Sequence, residues 1–433
     1  MNRSRALYGL LVLLALPWVS LLVAWRSLRD RHYASGWSAR FGRGPALDGT
    51  AGCLWVHAVS VGEVQAAAAL VTALRAQFPA LPLAITSATP AGRERARALA
   101  GRGIDVRYAP YDLRVCVRGS LRRLRPRVLV IMETELWPNL LGECARAGVP
   151  VIIASARLSE RSLRRLRCVP DLLQPALRTA VFVAAQSAAD AQRFATLGVP
   201  SARVAVCGNI KFDRTPDAPL RAAGAALRAR FAPARLLWVA GSTHDTEEQA
   251  ALAAHRVLRG AAHTASGAEA LLVLAPRHRP RFDAVAELLA GSGLEWRRYS
   301  AAAGASAEQC QRIAVLLLDT LGDLESFYAA ADLAFVGGSL VPVGGHNLLE
   351  PAALGVPSIT GPNHSAAVQV ARELSASGAT RIVNSAQELN AALLALTSDP
   401  AALRRMSQSA LAVVEANRGA LQRLLALIRE RLA

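Results

Sequence analysis

Cysteine and histidine are sparse in this sequence, and they show none of the spacings that bind a metal or form a redox pair. The six cysteines are scattered without a Cys-x-x-Cys pair, which excludes zinc ribbons and thioredoxin-like proteins. The eight histidines lack ligand spacing and no Asp-x-Asp motif occurs, so a Mg²⁺ site finds no support. We therefore expect reduced thiols in a cytosolic environment, and neither a metal nor another cofactor.

Lysine is nearly absent, since Lys211 is the only lysine among fifty basic residues. The other cations are arginines, and the formal net charge is +18. Two arginine-rich stretches, 118–127 and 156–167, contain no aromatic residues for base stacking, which argues against nucleic acid as a partner. They favour an anionic lipid of the membrane or a phosphorylated acceptor, and a plain solvated face is the alternative.

The common nucleotide-binding signatures are missing as well. Neither a Walker loop nor a G-x-G-x-x-G fingerprint occurs, which disfavours ATPases and NAD-dependent dehydrogenases. What is present is apolar sequence, at 52% of 433 residues. This composition excludes a disordered chain, and the length suffices for two or three domains.

One uncharged apolar run, residues 6–25, lies near the N-terminus. As a helix it would span about 30 Å, the thickness of one hydrocarbon core. A cleaved signal peptide is the alternative, but the run is long and lacks a small-x-small exit. The flank after the run carries Arg26, Arg29, Arg31, Arg40 and Arg43. The positive-inside bias therefore predicts a membrane-anchor helix within residues 1–30, with the rest of the chain in the cytoplasm.

Short β-branched, apolar runs alternate with helical patterns after residue 50. Six runs fall in the first half: Leu54–His57, Leu83–Thr86, Val128–Met132, Val151–Ala154, Val181–Ala184 and Val204–Cys207. Five fall in the second half: Leu236–Ala240, Leu271–Ala275, Val315–Leu318, Leu333–Val336 and Ser358–Thr360. This alternation predicts an α/β fold with two doubly wound, Rossmann-like parallel sheets.

The pattern also predicts domain boundaries. The two sheets belong to domains at 31–213 and 236–405, and a linker at 214–235 that contains prolines joins them. A C-terminal helix at 406–433 is expected to pack back on the first domain. Open α/β sheets bind ligands at the carboxyl ends of their strands, so we expect the domains to face each other across a cleft that holds the site.

The strand ends of the second half predict a nucleotide site. Gly337-Gly338-Ser339 follows a buried run, and Gly344-Gly345-His346-Asn347 leads into a helix with Glu350 near its start. Glycines let a backbone approach a phosphate, and a helix N-terminus favours an anion. The alternative is a glycine-rich turn with Asn347 as an ordinary N-cap. Arg277 is expected to bind phosphate, and the loop 319–323 to offer groups to a base or ribose.

The strand ends of the first half predict the chemistry. Glu63 in the motif HAVSVGE would begin a helix, where the helix dipole keeps a general base ionised. Simple complementation of that dipole is the alternative. Glu133 and Glu135 follow another strand, and we expect one to contact reacting groups and the other to pair with arginine. Lys211 supplies a compact ammonium that would neutralise a leaving phosphate, unless its retention is chance.

These motifs together resemble the 3-deoxy-D-manno-octulosonic acid (Kdo) transferases of lipopolysaccharide synthesis. The resemblance covers nearly the whole chain and rests on ordered motifs, among them HAVSVGE, IMETELWPN, GNIKFD, APRH, DTLGDL and GGHNLLEPAA. It implies a GT-B fold and an inverting, metal-independent transfer of Kdo from CMP-Kdo to the lipid A precursor, lipid IVA, at the cytoplasmic side of the inner membrane. The sequence departs from the usual pattern at Leu348, where proline is common, and at Thr246, where glycine is common.

The resemblance also implies roles for individual residues. The first domain would bind the acceptor, with Glu63 as proton acceptor and with Glu133 and Lys211 supporting the transition state. The second domain would bind CMP through Pro276, Arg277, Leu321, Gly322, Asp323, Asn347, Leu348, Leu349 and Glu350. Two other functions stay open, namely a GT-B enzyme of envelope synthesis that uses a UDP-sugar and a lipid acceptor, and a membrane-tethered, non-catalytic binder of anionic lipid or nucleic acid.

Overall fold

The structure is a computed structural model, which describes residues 8–14, 17–18, 36–47, 52–100, 103–213, 216–260, 270–365 and 368–432. Most of the predicted anchor lies outside these residues, together with Arg26, Arg29 and Arg31 of its flank. Within the described ranges, no helix combines the length and the apolar content needed to cross a bilayer. The chain divides into two compact units, Met1–Asp213 with Asn417–Ala433, and Arg214–Ala416.

A seven-stranded sheet forms the centre of the first unit, and all its strands are parallel. The strands are β1 (Cys53–His57), β2 (Leu83–Ser87), β3 (Ile104–Tyr108), β4 (Pro126–Met132), β5 (Val151–Ala156), β6 (Val181–Ala185) and β7 (Val204–Val206). Their spatial order is β3-β2-β1-β4-β5-β6-β7. Successive side chains point to opposite faces, so Trp55 enters one apolar core and Val56 enters the other.

The second unit repeats this plan with a second parallel sheet of seven strands. The strands are β8 (Leu237–Thr243), β9 (Leu271–Pro276), β10 (Trp296–Arg298), β11 (Val315–Leu317), β12 (Leu333–Val336), β13 (Ser358–Thr360) and β14 (Thr380–Ile382). Their order is β10-β11-β9-β8-β12-β13-β14. Trp238 and Val239 again enter opposite apolar cores. The prediction of two parallel α/β sheets is confirmed.

Helices pack on both faces of each sheet and cover the four apolar cores. In the first unit they span Trp37–Arg40, Val61–Ala66, Ala68–Gln77, Pro90–Ala100, Arg114–Leu124, Pro138–Ala147, Glu160–Arg167, Pro170–Thr179, Ala188–Leu197 and Ala420–Leu432. In the second unit they span Ala218–Phe231, Glu247–Gly260, Arg281–Ala290, Ala307–Arg312, Leu324–Ala330, Leu349–Ala353, Val368–Ala376 and Ala386–Thr397. The helix Pro400–Asn417 is the last helix of this unit, which ends at Ala416, while Asn417 itself belongs to the first unit.

Two predicted segments differ from the structure. The predicted linker contains the helix Ala218–Phe231, which the Asp217 side chain caps at the Leu220 N–H. Phe231 is fully buried in a core of the second unit, so this helix is part of that unit. The predicted single C-terminal helix is divided at Gly419, whose φ of 77° is a left-handed conformation that interrupts a helix.

The last helix, Ala420–Leu432, belongs to the first unit. Leu424, Leu425 and Ile428 are buried in the core that also contains Val56 of β1. The Arg127 guanidinium donates to the Leu432 carbonyl at the other end of this helix. The end of the chain therefore completes a core that its first strands begin.

Arg40 is also part of the fold, although the sequence suggests a charged flank beside the membrane. Its side chain is buried, donates from Nη2 to the Ala88 carbonyl over 2.9 Å, and stacks on the Tyr108 ring at 3.9 Å from the centroid. Hydrogen bonding and cation–π contact offset the cost of burying this cation.

Candidate active site

Glu63 lies in the first turn of the helix Val61–Ala66, directly after β1. Ser60 is the N-cap, and its hydroxyl accepts the Glu63 N–H. The Glu63 carboxylate turns back in return, and its Oε2 accepts the Val59 N–H over 2.6 Å. The Ser60 hydroxyl is 3.2 Å from Oε1. This reciprocal cap fixes the carboxylate at the carboxyl edge of the first sheet.

Burial controls the charge of this carboxylate. Only 9% of Glu63 is exposed, and desolvation raises the pKa of its carboxyl from 4.5 to about 7. The Val59 N–H lowers the pKa, whereas the nearby Glu135 and Glu133 carboxylates raise it. We predicted from the helix dipole that Glu63 stays ionised, but desolvation outweighs the dipole. Near pH 7 the group exists in both protonation states.

Glu133 and Lys211 form an ion pair beside this position. Glu133 follows β4 and has a φ of 56°, an uncommon left-handed conformation that directs the chain away from the strand. The Lys211 Nζ donates to Glu133 Oε1 over 2.6 Å, and each side chain is about one-third exposed. The Trp137 indole N–H donates to Glu135 over 2.7 Å. Among the described residues neither carboxylate therefore takes arginine as its partner.

The strand order explains why these side chains converge. The chain order reverses between β1 and β4, which are hydrogen-bonded neighbours, and open α/β sheets bind ligands at such a switch point. Glu63 follows β1 and Glu133 follows β4, while Lys211 reaches Glu133 from the segment after β7. The first sheet thus brings the three residues that we predicted as catalytic to one edge.

The switch point of the second sheet lies between β8 and β12. Here the glycine-rich loop after β12 is held by Glu247, which is 1% exposed at the start of the helix Glu247–Gly260. Its Oε2 accepts the N–H groups of His244 and Gly338 over 3.0 and 2.7 Å. Its Oε1 accepts those of Ser339 and Leu340 over 3.0 and 2.9 Å. Four backbone donors therefore saturate this carboxylate.

The glycines of this loop are required by the protein's own packing. A side chain at Gly337 would come within 2.8 Å of Glu247 Oε2. A side chain at Gly338 would come within 2.7 Å of the His346 ring. Gly345 would meet the Asn363 carbonyl at 2.7 Å. Neighbouring residues of the same unit thus already occupy the space beside these glycines, where we expected a phosphate to approach the backbone.

Three histidines cluster at this edge. His244 and His346 stack with their rings 5.1 Å apart, and their Nε2 atoms are 2.8 Å apart, so one donates to the other. His278 packs edge-on against His244. Burial and, to a smaller extent, the charge of the neighbouring Arg277 lower the pKa of His346 from 6.5 to about 4. No group of histidine, cysteine or acidic residues in the described ranges is arranged to hold a metal.

Arg277 follows Pro276, the last residue of β9. Its backbone N–H donates to the Thr243 carbonyl over 2.9 Å, which fixes the start of the loop. The guanidinium is exposed and makes no hydrogen bond or ion pair with any residue that the structure describes. Its planar fork is therefore available for an anion at the edge where the histidines cluster.

The remaining predicted nucleotide-binding residues lie in two loops. Leu321 and Gly322 are exposed, and Asp323 precedes the helix Leu324–Ala330. In the other loop, Asn347 Oδ1 accepts the Leu349 N–H and Nδ2 donates to Glu350, each over 3.1 Å. Leu348, rather than Asn347, occupies the N-cap of a helix of only five residues. The Leu348 and Leu349 side chains are buried, so they can offer only backbone groups to a ligand.

Sequence reasoning did not single out Glu247, His244 or His346 as a group. The signal for His244 and Glu247 is the motif GSTHDTEE, in which polar residues follow a buried strand in the same way as HAVSVGE in the first half. Pairing the first strands of the two halves would have aligned Glu247 with Glu63. The backbone partners of Glu247 are distant in sequence, so its role is visible only in the fold.

Comparison with solved structures defines the fold class. The structure resembles MurG from Acinetobacter baumannii with a TM-score of 0.54 at 14% sequence identity, over 87% of this chain and 99% of that protein. A likeness at this level of identity concerns the fold alone. With its two parallel sheets, each with a polar switch point, the chain has the GT-B type of fold.

Sequence relatives are more specific. Residues 35–214 match the family described as 3-Deoxy-D-manno-octulosonic-acid transferase (kdotransferase). The chain is 35% identical to the 3-deoxy-D-manno-octulosonic acid transferase of Haemophilus influenzae, over 98% of each chain. It is 37% identical to the transferase of that name from Bordetella pertussis, over 94% of this chain and 95% of the relative. The chain therefore belongs to the Kdo transferase family and is a glycosyltransferase, so the alternative of a non-catalytic binder is wrong.

Proposed function

We propose that this protein transfers Kdo from CMP-Kdo to the lipid A precursor, lipid IVA, at the cytoplasmic side of the inner membrane. The reaction is an inverting single displacement without a metal. An acceptor hydroxyl oxygen bonds to the anomeric carbon of Kdo while its proton passes to Glu63. The bond between that carbon and the phosphate oxygen breaks, and CMP leaves with the electron pair.

The single observation that carries the proposal is the state of Glu63. A general base works best when its pKa lies near the operating pH, and burial raises the pKa of this carboxyl to about 7. Its backbone is capped and its carboxylate is oriented by Val59 and Ser60, so the base is held before substrate binds. This preorganisation supports proton transfer rather than a purely structural role for Glu63.

The charges around Glu63 support the rest of the step. Lys211 neutralises Glu133 at 2.6 Å, so the edge of the first sheet carries less negative charge than its three glutamates suggest. We propose that Lys211 and Glu133 support the transition state. Phosphate charge on the departing CMP is the main electrostatic demand of the reaction, and fixed cations meet it without reorganisation.

The second unit supplies donor binding in this proposal. Arg277 offers a guanidinium fork to the phosphate of CMP. Pro276, the exposed loop Leu321-Gly322-Asp323 and the turn from Asn347 to Glu350 surround the nucleotide. Because the Leu348 and Leu349 side chains are buried, their contribution is limited to backbone groups.

Membrane association is consistent with the surface of the first unit. The helix Glu160–Arg167 exposes Arg161, Arg164, Arg165 and Arg167. Each basic residue near an anionic lipid surface contributes about 1 kcal/mol. We propose that this face binds inner-membrane lipid near the acceptor. The other arginine-rich stretch, residues 118–127, is different, because Arg118 pairs with the buried Glu143 over 2.7 Å.

The test is a reconstitution with defined substrates. Purified full-length protein is incubated with lipid IVA and either CMP-Kdo or a panel of UDP-sugars, and the lipid product is identified by mass spectrometry. We expect transfer from CMP-Kdo alone, and an unchanged rate in EDTA. Transfer from a UDP-sugar without transfer from CMP-Kdo would overturn the proposal in favour of a different envelope glycosyltransferase.

A further inference from the structure

The segment that carries Lys211 is attached to the beginning of the C-terminal helix. The Asn209 N–H donates to Asn417 Oδ1 over 3.1 Å. The Arg423 Nε donates to the Cys207 carbonyl over 3.0 Å. Gly208 lies against Ala420 so closely that a side chain there would come within 3.3 Å of it. Residues 207–213 and 417–423 thus form one contact region, which we call the C-terminal clamp.

Asp213 is the strongest element of the C-terminal clamp. One carboxylate oxygen accepts the Gly419 N–H over 3.1 Å and the other accepts the Leu421 N–H over 2.7 Å. These are donors at the start of the helix Ala420–Leu432 that no intrahelical carbonyl can satisfy. The helix is preceded by Gly419, which has no side chain to cap it, so Asp213 provides the cap from a distant part of the sequence.

The other side of the segment is fixed as well. The Ile210 N–H donates to Ser155 Oγ over 3.2 Å, and the Lys211 N–H donates to Asn209 Oδ1 over 3.0 Å. Ile210 and Phe212 are 4% and 0% exposed. Because buried side chains flank Lys211, its backbone cannot rotate without exposing them. The ammonium is thereby directed at Glu133.

We propose that Asp213 and Asn417 are positioning residues, which hold Lys211 on Glu133 by tying its loop to the C-terminal helix. The inference deepens the proposed function and rests on it only in the claim that Lys211 acts in transfer. Neither residue needs to contact substrate. Loss of the clamp is expected to let the loop shift, which separates Nζ from Glu133 and slows the transfer step.

The sequence provides a direct probe, because Lys211 is the only lysine in the chain. Uniform labelling with ¹³C,¹⁵N-lysine gives a single side-chain ammonium signal in NMR, which reports on the contact with Glu133 without assignment. Glu133→Gln defines the signal of the unpaired ammonium. We expect Asp213→Ala to move the wild-type signal toward that of Glu133→Gln, and to lower kcat roughly 10- to 100-fold with little change in KM.

A matched control is available four residues further along. Asp217 is also a helix cap, since its carboxylate accepts the Leu220 N–H over 2.9 Å, but it caps Ala218–Phe231 in the second unit. Asp217→Ala also removes a helix cap, and it should leave the lysine signal and kcat unchanged. Asp213→Asn, which retains one acceptor oxygen, should give an intermediate signal and rate, and keeps the test valid if Asp213→Ala does not fold.

The outcomes separate the two claims. A lysine signal that stays at its wild-type position in folded Asp213→Ala or Asp213→Asn overturns the inference, whatever the activity. Equal effects of the Asp213 and Asp217 variants would also overturn it, because they would reduce the clamp to general stability. Full activity of Lys211→Ala would instead contradict the proposed role of Lys211, while a shifted signal in the Asp213 variants would still support the clamp.

Discussion

Glu63 and Glu247 occupy matching places in the two units. Each begins a helix after the first strand of its sheet, at the switch point, and each is at least nine-tenths buried. Glu63 accepts one backbone N–H, whereas Glu247 accepts four. The same position therefore serves two purposes. A carboxylate saturated by backbone donors stabilises a loop, and one with few donors remains available for proton transfer.

Replacing Glu63 should abolish proton transfer, which is the role that this comparison gives to its carboxylate. Glu63→Gln keeps the size of the side chain but removes the base, so we expect kcat to fall about 10²–10⁴-fold. Release of CMP from CMP-Kdo in the presence of lipid IVA measures this loss. CMP binding, followed by calorimetry, should persist.

A control for Glu63→Gln lies in the second unit. Glu388 has the same local cap, with Ser385 as N-cap and the Asn384 N–H donating to the carboxylate over 2.9 Å, but it follows the edge strand β14 and is exposed. Glu388→Gln should change kcat by less than about twofold. A comparable loss in both variants would mean that capping, and not proton transfer, explains the effect of Glu63→Gln.

Replacing Glu247 should destabilise the loop after β12, which its carboxylate holds. An amide offers one acceptor oxygen and turns an NH₂ group toward backbone N–H groups, so buried donors are left unpaired. We expect Glu247→Gln to lower the free energy of unfolding by about 3–5 kcal/mol, measured by urea denaturation. Glu287→Gln, on an exposed position of the helix Arg281–Ala290, should change it by less than about 0.5 kcal/mol. If Glu247→Gln has the same free energy of unfolding as the wild-type protein, the loop does not need this carboxylate.

The pH dependence of kcat/KM should test whether Glu63, unlike Glu247, takes part in proton transfer. Glu63 acts when deprotonated and its pKa is about 7, so kcat/KM should fall about tenfold per pH unit below that value and level off above it. Glu133→Gln removes a nearby negative charge and should move the midpoint to lower pH, by less than about one unit because burial is the larger cause. A midpoint near 4.5 would show that Glu63 is solvated in the working enzyme.

The smallest expected effect concerns the turn before Glu247. Thr246 has a φ of 71°, a left-handed conformation that is unfavourable for a β-branched residue. Glycine relieves that strain, so Thr246→Gly should raise the free energy of unfolding by about 1 kcal/mol. Thermal denaturation would detect the change. A destabilised variant would mean that contacts of the Thr246 side chain outweigh the backbone strain.

The central strands were predictable from sequence, whereas of the four edge strands only β7 was predicted, as the run Val204–Cys207. Strands such as β4 and β8 are buried on both faces and must be apolar runs, which the sequence displays. The missed strands β3, β10 and β14 lie toward the edges of their sheets and are partly exposed. Asp105 and Arg107 of β3, which pair with each other, hide its strand pattern. At a sheet edge water can hydrogen-bond the unpaired backbone groups, and the exposed side chains need not be apolar. Such a strand therefore need not appear in the sequence as an apolar run.

Local motifs likewise indicated the position of Glu63 but not its protonation. The Ser-x-x-Glu spacing after an apolar run predicts a capped helix, and the structure has that cap. The raised pKa depends on how completely the surrounding residues exclude water, and no spacing in the sequence encodes this. For the same reason, the contacts of Glu247 with residue 338 and of Asp213 with residue 421 appear only when distant segments meet.

The place of the helix Ala420–Leu432 has a consequence for biosynthesis. During translation the strands of the first unit emerge early, but the apolar surface that receives Leu424 and Ile428 stays uncovered until residues 420–432 have been made. The whole second unit is made in the interval, and domains usually fold as they emerge. A nonsense codon just before residue 420 would therefore expose apolar surface in the unit that is made first.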